Sequence, residues 1–292
     1  MNLNLMHKYL DIAIEGNSSL MHYIVGIVLS FFFWIFIGNF FSWLIVNILT
    51  DSFVQLIFAK DYLAEKIPDL FLCFGIFLAT KWVHQRKWKT LINASGSICF
   101  KKLLFGFLIW STLIVISFIV GFILNSNNRL LTFEPHRWWM FLPFAVVFTP
   151  IQVLSEELLF RGYLLQGISC IIRQPLLLTI VNSFLFAAAH LPIAQTSLET
   201  VWMTLYYFVW GVFLVVVTLK SNGIELALGI HTATNLYGVL FVQATNSVIT
   251  TPTIWKINPA HPKYLVVVQL ILITAFCILM FYLPARKTRF IR

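Results

Sequence analysis

The sequence predicts an all-α fold, a polytopic transmembrane bundle of about eight helices. Of its 292 residues, 60% are hydrophobic and 11% are charged, whereas ordinary soluble domains are roughly one quarter charged. Apolar stretches also recur at about the 20 residues that a helix needs to cross the hydrocarbon core. These two observations predict an integral, multi-pass membrane protein that contacts membrane lipid along most of its length.

The apolar stretches define the predicted elements. The first has no charged residue between Leu20 and Leu49 and is too long for the apolar region of a signal peptide, so we expect it to remain as a helix. No repeat, low-complexity tract or linker divides the chain, which predicts one membrane domain over residues 1–292. The predicted spans are 20–49, 66–83, 103–124, 138–160, 176–190, 201–219, 224–243 and 264–283.

Loop charge predicts the orientation, because Lys and Arg collect in cytoplasmic loops. The 84–102 loop is rich in Lys and Arg, whereas the 50–65 loop holds Lys60 among three acidic residues. We therefore expect the 84–102 loop to be cytoplasmic. With eight spans, the basic C-terminal tail lies on the same side, so both termini are expected to be cytoplasmic. Lys256 and Lys263 in the 244–263 loop disagree with this orientation.

Two other classes of interaction are disfavoured. The net charge of +9 comes from basic residues between the spans, so we expect no nucleic-acid partner. The four cysteines include no C-x-x-C pair, and they are expected to be small core residues.

The 244–263 loop contains three prolines and is predicted to be an irregular or re-entrant segment on the outer side.

Ionisable residues inside apolar spans are costly and mark candidate sites. Glu156 and Glu157 lie side by side in one span, with Arg161 four residues after Glu157. Residues four apart share a helix face, so Glu157 and Arg161 are expected to form a structural ion pair. Glu156 points about 100° away and has no local counter-charge. It is therefore the better candidate for a general base.

Two more spans carry polar side chains. His190 follows Phe186 by one helical turn, and we expect Phe186 to pack beside its imidazole. His231 and Asn235 share one face of another span. Three unrelated buried polar groups would each need a separate partner, so their convergence on one cavity is the simpler explanation.

The set allows two chemistries. Glu156 and His190 can orient a water molecule while His231 and Asn235 stabilise an oxyanion, which makes a metal-free hydrolase. Alternatively, Glu156, His190 and His231 can bind zinc and lower the pKa of a bound water to about 7. The H-E-x-x-H pattern of soluble metalloproteases is absent. The cofactor is therefore either none or zinc.

The three motifs resemble the CPBP family, the CAAX protease and bacteriocin-processing or Abi group of intramembrane proteases, which includes relatives of the Ras-converting CAAX endopeptidase. The resemblance covers residues 145–243, which would form the catalytic core. It implies an intramembrane endopeptidase that cleaves a membrane-associated, CAAX-type or bacteriocin-like substrate. It further implies catalytic roles for Glu156, His190, His231 and Asn235. We expect a bacterial inner membrane and a site open to the cytoplasm.

Two non-proteolytic functions compete with this prediction. A membrane immunity or interaction protein could keep the same side chains for structure and bind a partner without cleaving it. A transporter could use Glu and His as a proton relay, but it should show inverted repeats, and the polar motifs here fall only in the second half of the chain.

Overall fold

The computed structural model describes residues 4–52, 57–124, 129–191, 197–247, 249–258 and 262–282. The basic C-terminal tail that was used to predict the orientation lies outside these residues. Each of the eight predicted spans overlaps a helix within the described residues. The helices are α1 (Asn4–Asp11), α2 (Leu20–Phe32), α3 (Asn39–Ser52), α4 (Ile57–Leu78), α5 (Phe100–Leu124), α6 (Pro135–Glu157), α7 (Leu165–Ser169), α8 (Pro175–Ala189), α9 (Ser197–Ser221), α10 (Glu225–Leu240) and α11 (Pro262–Cys277).

Short π-helical segments join or extend several of these helices. One segment connects α2 to α3, another connects α6 to α7, and others extend α4 and α11. A π-helix widens the turn locally and is common at functional sites. The π-helical segments are Phe33–Gly38, Ala79–Val83, Leu158–Leu164 and Ile278–Tyr282.

Among the described residues, five helical segments are long and apolar enough to cross a membrane. The predicted multi-pass helical bundle is therefore confirmed, while the number of eight crossings stays a prediction. Helix α8 is apolar but shorter than the five. The five segments are Leu20–Ile48, Phe100–Leu124, Pro135–Ser169, Leu198–Ser221 and Pro262–Met280.

The prediction of a loop over residues 50–65 was wrong from Ile57 onward, because α4 begins there rather than at residue 66. Charged residues at 60, 61 and 65 hid this helix from a search for apolar runs. Tyr62 explains why the helix continues, since its buried ring packs on Phe141 and its hydroxyl bonds the Thr149 hydroxyl at 2.7 Å. The start of α4 is therefore held against α6.

Three short strands at one end of the bundle were not predicted. They are β1 (Arg129–Leu131), β2 (Val242–Ala244) and β3 (Trp255–Ile257), in the order β1-β3-β2. β3 pairs antiparallel with β1 and parallel with β2. The 244–263 loop thus contains a strand rather than being wholly irregular. The strands are too short for the alternating pattern that identifies a strand in a sequence.

The opposite end of the bundle is closed by polar contacts between distant segments. Arg86 donates to the Gln166 side chain at 2.7 Å and to the Ile12 carbonyl at 3.0 Å. The unpredicted helix α1 is fixed there by Tyr9, whose buried hydroxyl donates to the Leu91 carbonyl. The cost of burying these polar groups is offset because they are paired.

Helix α10 lies unusually close to α5. A Cβ atom added at Gly229 would be 2.1 Å from the Leu103 carbonyl oxygen, and one at Gly106 would be 2.6 Å from the Leu226 carbonyl oxygen. Real side chains do not tolerate these distances, so glycine is required on both helices. Small residues permit such close packing of membrane helices. This contact sets the position of α10 in the bundle.

His84 lies at the end of the bundle that the polar contacts of Arg86 and Tyr9 close, which is called the closed end below. Its environment predicts that the fold is less stable in acid. Its Nδ1 bonds the Asn17 carbonyl at 2.7 Å and its Nε2 bonds the Tyr163 hydroxyl at 2.6 Å. Burial lowers the pKa of His84 from its ordinary 6.5 to about 4. The stability from neutral His84 is thus complete above the unfolded value and is lost as pH falls from 6.5 towards 4.

We therefore expect the protein in detergent to unfold at a lower temperature at about pH 5 than at about pH 7.5. His84→Gln should reduce this difference, because glutamine does not titrate. His136→Gln is the matched control, since His136 is exposed. An equal acid loss in wild type and His84→Gln would contradict the assignment.

Candidate active site

The two glutamates lie where α6 ends and the π-helical segment Leu158–Leu164 begins. Side chains from other helices satisfy carbonyls of this segment. Asn182 on α8 donates to the Phe160 carbonyl at 2.8 Å, and Tyr9 donates to the Arg161 carbonyl at 3.2 Å. The segment is thus held by α1 and α8, which fixes the direction of the side chains that follow Glu156.

Glu157 is at the centre of a buried chain of charged contacts. Its Oε1 accepts from Arg161 at 2.9 Å, so the contact predicted from their spacing is present, and both side chains are fully buried. The same oxygen bonds His231 Nδ1 at 2.8 Å. Sequence reasoning had assigned Glu157 to Arg161 alone. The structure adds that Glu157 ties α6 to α10 and sets the orientation of the His231 ring.

Arg161 also stacks on aromatic rings. Its guanidinium carbon lies 4.1 Å from the centre of the Phe186 ring and 5.9 Å from that of Phe160. Two of its nitrogens, Nε and one Nη, make no hydrogen bond within the described part of the chain. The ring faces therefore add a cation–π contribution to the stabilisation of this buried cation.

Glu156 faces the two histidines. Its Oε1 accepts from the Gln152 amide at 2.9 Å. Its Oε2 lies 3.7 Å from both His190 Nε2 and His231 Nε2 and is buried without a hydrogen-bond partner among the described residues. These separations exceed a direct hydrogen bond. They suit a water molecule that bridges the groups.

The hydrogen-bond partners assign the histidine protons. His190 Nδ1 bonds the Phe186 carbonyl at 2.8 Å, and a carbonyl only accepts, so Nδ1 carries the hydrogen. His231 Nδ1 likewise donates to the Glu157 carboxylate. In the neutral rings both Nε2 atoms are therefore acceptors. Three lone-pair atoms thus face one position, which calls for a donor or a cation there.

The side chains around Glu156 do not have the arrangement of a zinc site. Carboxylate and imidazole are suitable donors for zinc, and the predicted ligands Glu156, His190 and His231 do face one another. However, the described residues contain no group of three or more His, Cys, Asp or Glu side chains arranged to hold a metal ion. The mechanism proposed below therefore uses no zinc ion.

Aromatic side chains hold the imidazoles. The Phe186 ring is 4.3 Å from that of His190, which places it where the sequence predicted. Tyr207 on α9 stacks on His190 at 4.6 Å, and Trp210 packs edge-on against His231 at 5.9 Å. Neither α9 residue was identified from the sequence, because nothing distinguishes them from other aromatic residues of an apolar helix.

Asn235 lies one turn after His231 on α10 and is partly exposed. Across the ranges that the structure describes, its amide makes no hydrogen bond. Its two donors are therefore available to a bound molecule. The geometry places Glu156, His190 and His231 together, with Asn235 next to them along the helix.

Helix α4 adds two charged residues that sequence reasoning missed. Lys66 and Asp69 are both buried and close enough to Glu156 to interact with it electrostatically. They lie at the start of the predicted span 66–83. Charged residues inside an apolar span are the feature by which the sequence could have identified them as part of the site. The first half of the chain therefore also shapes the site.

The two histidines lie at different distances from the starts of their helices. Helix α8 starts at Pro175, one residue before the predicted span 176–190, which puts His190 about 22 Å along it. His231 is about 9 Å along α10 from Glu225. Both rings reach Glu156, so these helices enter the bundle at different depths or tilts.

Comparison with known proteins then identifies the segment that carries these residues. Residues 137–237 match the model of a family described as "Type II CAAX prenyl endopeptidase Rce1-like". This segment, called the Rce1-like segment below, is similar to that family. The resemblance predicted from the three motifs is thus confirmed for about a third of the chain, and the Rce1-like segment includes every candidate residue from Glu156 to Asn235. The boundaries 145–243 for a catalytic core stay a prediction.

Similarity to one bacterial protein extends beyond the Rce1-like segment. The chain is 25% identical over 263 residues to "Uncharacterized protein YyaK" of Bacillus subtilis (strain 168), covering 86% of this chain and 88% of that protein. No solved structure matches the chain. The similarity therefore includes residues outside the Rce1-like segment.

The buried ion pair predicts a large effect of Arg161→Met. This change leaves the Glu157 carboxylate buried without its guanidinium partner, which should lower the free energy of unfolding by about 3–5 kcal/mol. Denaturation in detergent micelles measures it.

The matched control is Arg137→Met, because Arg137 pairs with Glu134 at the surface at 3.2 Å. That change should cost less than about 1 kcal/mol. Equal losses in the two variants would show that the Glu157–Arg161 contact does not have the stabilising role assigned to it.

Proposed function

We propose that the protein is an intramembrane endopeptidase that hydrolyses a peptide bond of a membrane-associated substrate. One observation carries the proposal: Glu156 Oε2 lies 3.7 Å from the Nε2 atoms of both His190 and His231, inside a helical membrane domain. A carboxylate and two imidazoles around one position can hold and activate a water molecule. The family description of the Rce1-like segment supports peptide hydrolysis.

In this mechanism Glu156 and His190 orient the water. Glu156 takes a proton as the water oxygen attacks the carbonyl carbon of the substrate. The same proton, returned by Glu156 or passed on by His190, then reaches the leaving amine as the carbon–nitrogen bond breaks. The His190 ring is well suited to this role because Phe186 and Tyr207 both pack against it.

His231 and Asn235 stabilise the oxyanion. A neutral His231 presents an acceptor at Nε2, so it must carry a second proton to donate from that atom. Glu157 supports the imidazolium through Nδ1, as a carboxylate does in a Ser-His-Asp triad. The Asn235 amide is the second donor.

The substrate class follows from the family and the setting. The family description names CAAX prenyl endopeptidases, so a CAAX-type tail is the first substrate to test and a bacteriocin-like peptide the second. The orientation that we propose places the closed end of the bundle in the cytoplasm of a bacterium. Lys and Arg concentrate at that end, and His231 is only about 9 Å from it along α10. The site would then open to the cytoplasm.

Glu156→Gln tests the proposed base. The amide keeps the size of the side chain but cannot accept the proton of water, so cleavage of a CAAX-type or bacteriocin-like peptide should fall by at least about 100-fold. Purified protein in detergent is assayed with the products identified by mass spectrometry. Glu134→Gln is the control, because Glu134 is exposed and distant in the chain.

Metal content is measured on the same samples. The proposal expects cleavage to survive removal of bound metal by a chelator. Zinc at one equivalent per chain, with loss of cleavage on its removal, would replace the metal-free mechanism by the zinc alternative at Glu156, His190 and His231. Equal cleavage by wild type and Glu156→Gln would refute Glu156 as the base under either mechanism.

Asn235→Ala tests the oxyanion role. Loss of one oxyanion donor should lower the turnover number by about 100- to 1,000-fold while KM changes little, since the interaction forms mainly in the transition state. Steady-state kinetics on one peptide measure both constants. Asn39→Ala is a matched control at an exposed position on α3. A rise in KM with an unchanged turnover number would instead assign Asn235 to substrate binding.

A further inference from the structure

A cavity lies apart from the side chains of the candidate active site. It encloses about 400 Å³ between α5, α9, α10, α11 and the three-stranded sheet. This volume is in the range of small-molecule sites. Apolar and aromatic side chains form most of its wall, including Trp110, Ile114 and Leu272, while Glu156 and His190 do not line it.

Gln269 is the first sign of a ligand in this cavity. It lines the cavity on α11, its side chain is only 4% exposed, and neither amide atom has a hydrogen-bond partner among the described residues. A buried amide without a partner costs free energy. Because it lies about 10 Å along α11 from Pro262, its partner must be a polar group that reaches well into the bundle.

Arg129 is the second sign. It lines the same cavity where β1 closes it, and its guanidinium lies over the rings of Phe118 and Phe122 at 4.5 and 5.2 Å. Its hydrogen bond goes to the Phe118 carbonyl at 3.2 Å, and it forms no ion pair in the parts of the chain that are described. An anion at the sheet end of the cavity would complement this charge.

The cavity reaches the surface that faces lipid. Leu265 and Val268 both line it, and they are 38% and 43% exposed on α11. Helix α11 is one of the segments apolar enough to cross a membrane. A hydrocarbon chain can therefore enter sideways from the bilayer, without first passing through water.

We propose that this cavity binds one acyl chain of an anionic phospholipid. The chain lies among the apolar walls, the phosphate contacts Arg129, and an ester carbonyl accepts a hydrogen bond from the Gln269 amide. The three features match the three parts of such a lipid: a charge at the sheet end, a polar group deeper in, and apolar walls around them. The site is distinct from the proposed proteolytic centre.

The cavity also contacts that centre through one side chain. Trp210 lines the cavity and packs edge-on against His231, and its ring lies 5.4 Å from that of Trp110. A bound acyl chain would therefore press on the aromatic wall that supports His231. Binding itself does not require cleavage, so it is tested in the Glu156→Gln background.

The test is photolabelling in phosphatidylcholine vesicles. Two probes carry the same diazirine-bearing acyl chain, one on phosphatidylglycerol and one on phosphatidylcholine. Labelled residues are mapped by mass spectrometry. Trp110 and Trp210 report on the interior, because they are only 2% and 5% exposed and lipid at the outer surface should not label them. We expect the phosphatidylglycerol probe to label them about tenfold more than the phosphatidylcholine probe.

Two variants separate the contributions of the Arg129 charge and the Gln269 amide to lipid binding. Arg129→Gln should abolish the preference for phosphatidylglycerol, whereas Arg137→Gln, at an exposed arginine, should keep it. Gln269→Leu should lower interior labelling by both probes about fivefold, because both carry ester carbonyls. Failure of the protease proposal leaves these expectations unchanged.

Three results would overturn the lipid site. The first is equal interior labelling by the two probes in the starting protein. The second is the same loss of preference in Arg137→Gln as in Arg129→Gln. The third is competitive displacement of the phosphatidylglycerol probe by a cleavable peptide, which would assign the cavity to the substrate instead.

Discussion

The buried contact of Glu157 with both Arg161 and His231 is the constraint on which the site depends. One carboxylate oxygen joins a guanidinium at 2.9 Å and an imidazole at 2.8 Å. An unpaired charge at this depth would cost several kcal/mol, so the three side chains hold one another in place. This arrangement occupies Glu157 and turns His231 Nε2 towards Glu156. The adjacent glutamates therefore have different environments despite being neighbours in the chain.

The packing of the other helices holds these three side chains in position. Close packing at Gly229 and Gly106 brings α10 against α5, while Asn182 and Tyr9 hold the π-helical segment that carries Arg161. Phe186 then serves two neighbours, since its ring packs against both the Arg161 guanidinium and the His190 imidazole. Helix packing far from Glu156 thus determines the 3.7 Å separations around it.

What could be predicted from the sequence was mainly local or set by composition. The Glu157–Arg161 contact follows from helical spacing, and the apolar runs located the main helices. The bond from His231 to Glu157 joins residues 74 positions apart, so no periodicity reveals it. The start of α4 was missed because its charged residues resemble a loop, although Tyr62 anchors it. Tyr207 and Trp210 were missed because contacts, rather than residue type, distinguish them.

The central claim is that Glu156 performs chemistry while Glu157 maintains structure. The direct measurement is the cleavage rate and the unfolding temperature of Glu156→Gln and Glu157→Gln, made on the same preparations. The account predicts that Glu156→Gln loses cleavage with little change in unfolding temperature. It predicts that Glu157→Gln lowers the unfolding temperature clearly, because Arg161 and His231 lose their charged partner. Full cleavage by Glu156→Gln, or a Glu157→Gln variant as stable as wild type, would contradict it.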